Sequence, residues 1–224
     1  MSVQSLLEQL LRSGLSGVGA HQTANNPDLG KYATGAAVGG VLGLLLGTRT
    51  GRSLGGTALK VGSVAALGAM AWNAYQDYQA RQQAPGGAPP SPGPGATQPG
   101  FAALPAPQQE QHSQAMLKAM IAAAKSDGHL DERERGLVQA ELQRLQADAA
   151  TRQWVQAELQ RPLSPAEVAA AATGPEMAAE IYLASVVMVD QTNAEERAYL
   201  DALARELRLA DGLKADLEAR AAAA

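Results

Sequence analysis

The sequence predicts an all-α fold: helix-start signals recur through its second half, strand signals are almost lacking, and a glycine-rich apolar segment precedes a proline-rich spacer. The 224 residues are 46% apolar, enough for a buried core, but only 4% aromatic and 18% charged. The absence of cysteine excludes a disulfide scaffold, a Cys-ligated zinc site, a thiol nucleophile and an acylated lipoprotein anchor. A net charge of −4 argues against nucleic acid as a partner, because that requires a basic face. Charge is sharply partitioned. Residues 1–83 carry a net +3 and 14 of the 23 glycines, residues 84–107 carry no charge and eight of the 12 prolines, and residues 108–224 carry a net −7. Four segments follow: an amphipathic helix and loop over 1–29, a glycine-rich membrane-associated helical segment over 30–83, a disordered Pro/Gly/Ala-rich linker over 84–112, and a helical domain over 113–224.

The chain starts MSVQSLLEQLL, which lacks a basic n-region and contains Glu8, so it does not read as a secretory signal peptide. Val3, Leu6, Leu7, Leu10 and Leu11 share one helix face, suited to a membrane surface, a partner or plain packing.

The next segment carries the strongest pattern. Residues 33–47 (ATGAAVGGVLGLLLG) contain no charge, and a weaker apolar stretch runs from Ser53 to Tyr75, interrupted by Lys60. Neither stretch alone reaches the ~20 apolar residues of a comfortable membrane span. One span centred on Arg49 and Arg52 would bury two cations, at about 2.5–3.5 kcal/mol each. A two-helix hairpin with the TRTGRS turn at a surface avoids that cost, since arginine and lysine snorkel. Gly35, Gly39, Gly43, Gly47, Gly51 and Gly55 recur at every fourth position. In water each interior glycine costs a helix about 1 kcal/mol, whereas in lipid such a stripe lets helices approach closely. The expectation is a glycine-zipper membrane hairpin that self-associates into a homo-oligomer. A soluble assembly packed through the same glycines is the competing reading.

The spacer APGGAPPSPGPGATQPGFAALPAP has too little apolar bulk to offset ordering entropy, and its prolines favour an extended tether. Its Pro89–Pro92 pair has PxxP spacing but no flanking arginine, so it reads as linker. Beyond it, Asp131 with Glu134, Ser164 with Glu167 and Asn193 with Glu196 have capping-box spacing. Pro165 and Pro175 suit first helical turns, and Gly128 suits a left-handed stop. These signals predict seven helices over about 113–126, 131–146, 148–160, 164–172, 175–189, 193–208 and 211–222, an all-α bundle. Two stretches within it look alike. MLKAMIAAAKSDGHLDERER and AAEIYLASVVMVDQTNAEERAYL each read as an apolar helix, an acid (Asp127 or Asp190), a loop, a cap and a second helix.

The AAAKSDGHLDERE stretch resembles the signature of the TerB-like, tellurite-resistance-associated domains. The order of amphipathic start, glycine-rich segment, proline-rich linker and helical domain resembles the YebE-type bacterial inner-membrane proteins, a family of unknown activity. The resemblance implies a TerB-like helical fold and an integral location in the bacterial inner membrane, with links to stress and tellurite resistance. It also implies metal binding by acidic loop residues. Carried over, these are Asp127, Asp131, Glu134, Asp190 and Glu196, with Asn193 standing where a symmetric second site would have an acid.

Asp127, His129 and Asp131 alternate in one loop and their oxygens suit a hard divalent metal ion, but the EF-hand pattern fails. The competing reading is that Asp127 and Asp131 cap helices. His21 and His112 fall in flexible contexts, and no catalytic triad, phosphate loop or zinc-type histidine pair is present. Arg133, Arg135, Arg144 and Arg152 alternate with acids as solvated helix faces do. The leading expectation is a non-enzymatic membrane-anchored adaptor that displays the acidic bundle to a protein partner. The alternatives are a metal-binding stress protein and a small glycine-zipper membrane oligomer. Topology is drawn two ways: the turn arginines place that turn in the cytoplasm and the bundle outside, whereas the resemblance places the bundle in the cytoplasm.

Overall fold

The computed structural model describes residues 2–16, 64–83, 105–128, 132–189 and 193–223. Among them lie nine helices and no strand: α1 (Val3–Ser16), α2 (Val64–Gln83), α3 (Ala106–Ala124), α4 (Glu132–Arg144), α5 (Ala149–Gln160), α6 (Pro165–Ala169), α7 (Pro175–Val186), α8 (Ala194–Glu206) and α9 (Asp211–Ala223). The seven helices α3–α9 overlap the seven predicted spans, with the largest shift at the start of α3. α3 begins at Ala106, inside the predicted linker span, because Gln108–Gln111 are good helix formers and Pro107 sits in a first turn that needs no N–H from it.

α7 is the centre of the molecule. Ala178, Ala179 and every residue from Ile181 to Val186 are buried, so most of its surface faces other helices, as a central helix requires. It packs against α2, α3, α6, α8 and α9. Its Tyr182 is fully buried, and the hydroxyl donates to Glu218 Oε1 on α9 at 2.7 Å. Burial first and this bond second push the Tyr182 pKa well above the ordinary phenol value.

Helix ends follow local chemistry. The Ser164 side chain accepts from the Glu167 N–H at 3.3 Å, and Asn193 Oδ1 accepts from the N–H groups of Glu195 and Glu196 at 2.8 and 3.4 Å. Asp148, unremarked in the sequence, caps α5 by accepting from the Thr151 N–H at 2.7 Å. That bond holds its carboxyl down at about 2, from 3.8. Gly128 takes the left-handed backbone (φ 75°) after α3. Asp131 lies outside the described residues.

The two similar stretches are related by a constant register. The ends of α3 and α7, the starts of α4 and α8, and the ends of α4 and α8 each lie 62 positions apart (124 to 186, 132 to 194, 144 to 206). α4 and α8 both terminate in a Schellman turn with a left-handed non-glycine residue, Gln146 (φ 54°) and Arg208 (φ 55°). The Ala147 N–H reaches the Leu142 carbonyl and the Leu209 N–H reaches the Ala204 carbonyl, both at 3.0 Å. The same register carries Thr151, Val155 and Leu159 of α5 onto Leu213, Leu217 and Ala221 of α9, all six buried. The loops after α3 and α7 are therefore equal in length. Pairing Asp127 with Asp190, which makes the second loop one residue shorter, is off register: the position equivalent to Asp127 is the buried Val189.

Both helices that precede the linker join this core. Val3, Leu6 and Leu7 of α1 are buried against α3, so that part of the amphipathic face serves packing. Glu110 of α3 accepts from the Val3 and Gln4 N–H groups at 2.9 and 3.3 Å, a carboxylate at a helix start where the macrodipole favours it. The Leu10 and Leu11 side chains are outside the described residues. α2 overlaps the second apolar arm of the expected hairpin, yet Leu67, Ala71 and Ala74 are buried and the helix packs on α7 and α9. Asp77 pairs with Arg220 and Arg81 with Asp216, in the order of an antiparallel helix pair. No helix among the described residues is long and apolar enough to cross a membrane. Residues 17–63, with Gly35, Gly39, Gly43, Gly47, Gly51, Gly55 and the TRTGRS turn, lie outside the described residues.

Candidate functional site

Of the five acids proposed as metal ligands, two have described side chains. Asp127 is half-buried in the turn after α3, and Glu196 is buried in the first turn of α8. Asp131 and Asp190 lie outside the described residues, as does the side chain of Glu134. Among the described residues no group of three His, Cys, Asp or Glu side chains is placed to hold a metal ion.

A concave feature of the described residues lies elsewhere, on residues that look like ordinary helix faces in the sequence. α3 and α5 are tied together at their C-terminal ends. There Lys125, just past α3, donates its ammonium to the carbonyl oxygens of Glu158, at 3.0 Å, and Arg161, neutralising the C-terminus of α5. Burial pulls the Lys125 pKa below the ordinary lysine value, with Glu158 opposing. Beside this tie the helices leave a groove of about 700 Å³, within the ~300–1,000 Å³ of small-molecule pockets.

Its two long walls follow from helical spacing. Gln108, Gln111, Ala115 and Lys118 form one stripe on α3, and Trp154, Glu158 and Arg161 form another on α5. From Gln108 to Lys118 the wall runs about 15 Å at ~1.5 Å per residue. Thr173 and Met177, at the start of α7, close the third side. The half-buried Trp154 supplies the broadest apolar surface. Glu158 is buried but answered by Arg161 Nη1 at 2.9 Å, which leaves Lys118 as a cation with no ion pair among the described residues.

His112 borders the groove and departs from its flexible-context expectation. It sits in α3, 12% exposed, with Nε2 2.6 Å from Glu180 Oε2 on α7. Glu180 also lies beneath α2, where a Cβ on Gly68 would come within 3.4 Å of its carboxylate oxygen. This junction ties α2, α3 and α7 together. No sequence signal marked it, because His112 and Glu180 are far apart in the chain and neither belongs to a motif. Arg144, in contrast, pairs with Glu141 at 2.7 Å on an exposed face, the solvated arrangement expected of it.

Comparison with known proteins gives a family and one curated relative. An "Uncharacterized protein in ampR 5'region" from Yersinia enterocolitica is 28% identical over 112 residues, which cover 48% of this chain and 81% of the relative. No solved structure matches. The family model described as "Protein of unknown function (DUF533)" matches residues 31–221, most of the chain, and the protein therefore belongs to that family.

Proposed function

We propose that the protein is a non-enzymatic adaptor of the bacterial inner membrane, in which the glycine-rich segment is the anchor and the helical domain is the module presented to partners. The observation that carries this reading is the place of α2. It starts at Val64, directly after the glycine-rich segment, and its Leu67, Ala71 and Ala74 lie in the core beside α7. The described core therefore takes in the helix that follows the glycine-rich segment directly in sequence. The glycine repeat supports lipid as the surface that segment attaches to, since small residues at every fourth position favour close helix packing in a bilayer and weaken a helix in water. The resemblance to YebE-type proteins and TerB-like domains supports the same location and a role in stress or tellurite resistance. The groove of α3 and α5 supports binding as the activity of the module.

Alkaline-carbonate extraction of membranes tests the anchor, using the full chain beside a variant lacking residues 30–62, which retains α2 and hence the core. The expected result is full-length chain in the pellet and the deletion variant in the supernatant with its helical circular dichroism intact. Release of both contradicts the anchor.

A further inference from the structure

We infer that the groove between α3 and α5 is a seat for an amphipathic helix of a partner protein, one that presents small residues to the groove and a carboxylate to Lys118. The argument starts from the 62-residue register. It maps α3 onto α7 and α5 onto α9, and so maps the groove onto a surface of α7 and α9. Part of that surface is the one α2 occupies. Among the residues that meet α2 there are Glu180, beneath Gly68, and Asp216 and Arg220, paired with Arg81 and Asp77. Their counterparts 62 positions earlier are Lys118, Trp154 and Glu158, three residues that line the groove. One half of the domain thus holds a helix in this seat, and among the described residues nothing covers the same seat on the other half.

Chemistry then narrows the occupant. α2 meets its seat through Leu67, Ala71 and Ala74, and places Gly68 against Glu180. The equivalent contact in the groove is Lys118, opposite in charge to Glu180 and without an ion pair among the described residues, so the occupant supplies an acid at that position. Where α2 brings Arg81 to Asp216, the groove offers the indole of Trp154, a surface for an apolar or cationic side chain. The inference deepens the adaptor reading by assigning its partner site. A failure of membrane retention would leave it intact, and failure of helix binding would leave the anchor intact.

The test is titration of the full chain into a fluorescently labelled peptide of residues 64–83 carrying Gly68→Glu, followed by anisotropy. Saturable binding is expected, about ten-fold or more weaker in a Lys118→Glu protein whose circular dichroism and melting are unchanged. Restoration by a peptide carrying Gly68→Lys is expected with that variant. The inference is overturned by absence of saturable binding, or by binding indifferent to Lys118→Glu but lost in Glu180→Gln, which would mean exchange with α2 in its own seat. It is equally overturned if the chain without peptide sediments as a dimer that Lys118→Glu returns to monomer, because the seat would then belong to a second copy.

Discussion

The halves α3–α5 and α7–α9 share a register and differ in what covers them. The second half is more enclosed: α2 lies along α7 and α9, α6 lies on α8, and α7 is buried from Ile181 to Val186. Among the described residues the first half is open on the matching face, where α3 and α5 form the walls of the groove. A repeated helix–loop–helix scaffold therefore offers two similar seats, and the segment that enters the fold from the glycine-rich region fills one. The sequence reflects the difference. The buried run ALA-SER-VAL of α7 (Ala184, Ser185, Val186) corresponds to Ala122, Ala123 and Ala124 of α3, but the seat-facing residues diverge, Glu180 against Lys118 and Asp216 against Trp154.

The sharpest way to break the comparison is to weaken the filled seat. Leu67→Ala removes a fully buried side chain between α2 and the core and is expected to cost about 2–5 kcal/mol in urea unfolding. A cost near zero would mean that α2 is not part of the cooperative unit. Next in size is the cap that starts the second unit: Asn193→Ala, which strips two N–H groups of their acceptor, is expected to cost about 1 kcal/mol. The two Schellman turns test the register from the opposite direction. Gln146→Gly and Arg208→Gly relieve the same left-handed strain and should each stabilise by up to about 1 kcal/mol, with similar size in the two halves. The exposed pair of Asp77 with Arg220 is expected to matter least among these, with Asp77→Asn costing under about 1 kcal/mol and less at high salt.

A pH series gives a fifth comparison, at α5. Asp148 has a folded pKa of about 2, below its ordinary 3.8, so its contribution is present above the ordinary value and fades as pH falls toward 2. Asp148→Asn keeps a capping side chain and should flatten the acid limb of the melting-temperature profile between those values. An unchanged acid limb would place the loss of stability in other carboxylates.

Much of the fold could be read from local chemistry. Ser164, Pro165, Pro175 and Asn193 act at short range, and each marks a helix start that the structure retains. The role of α2 was hidden because its core face is made of Leu67, Ala71 and Ala74, small side chains whose hydropathy does not separate a bundle helix from the end of a membrane arm. Its partners on α9 lie more than a hundred residues away. The register was obscured by aligning the loops on their acids: Asp127 invites pairing with Asp190, whereas the helix ends pair it with Val189. The groove left no motif at all. Lys118, Trp154 and Arg161 look like a solvated face until α3 and α5 come together around them.

Hydrogen exchange of the full chain, with and without the 64–83 peptide carrying Gly68→Glu, addresses the two-seat account most directly. It predicts slowed exchange at 108–118 and 154–161, with exchange at 179–183 and 212–220 unchanged. Protection confined to α7 and α9, or none anywhere, would contradict it.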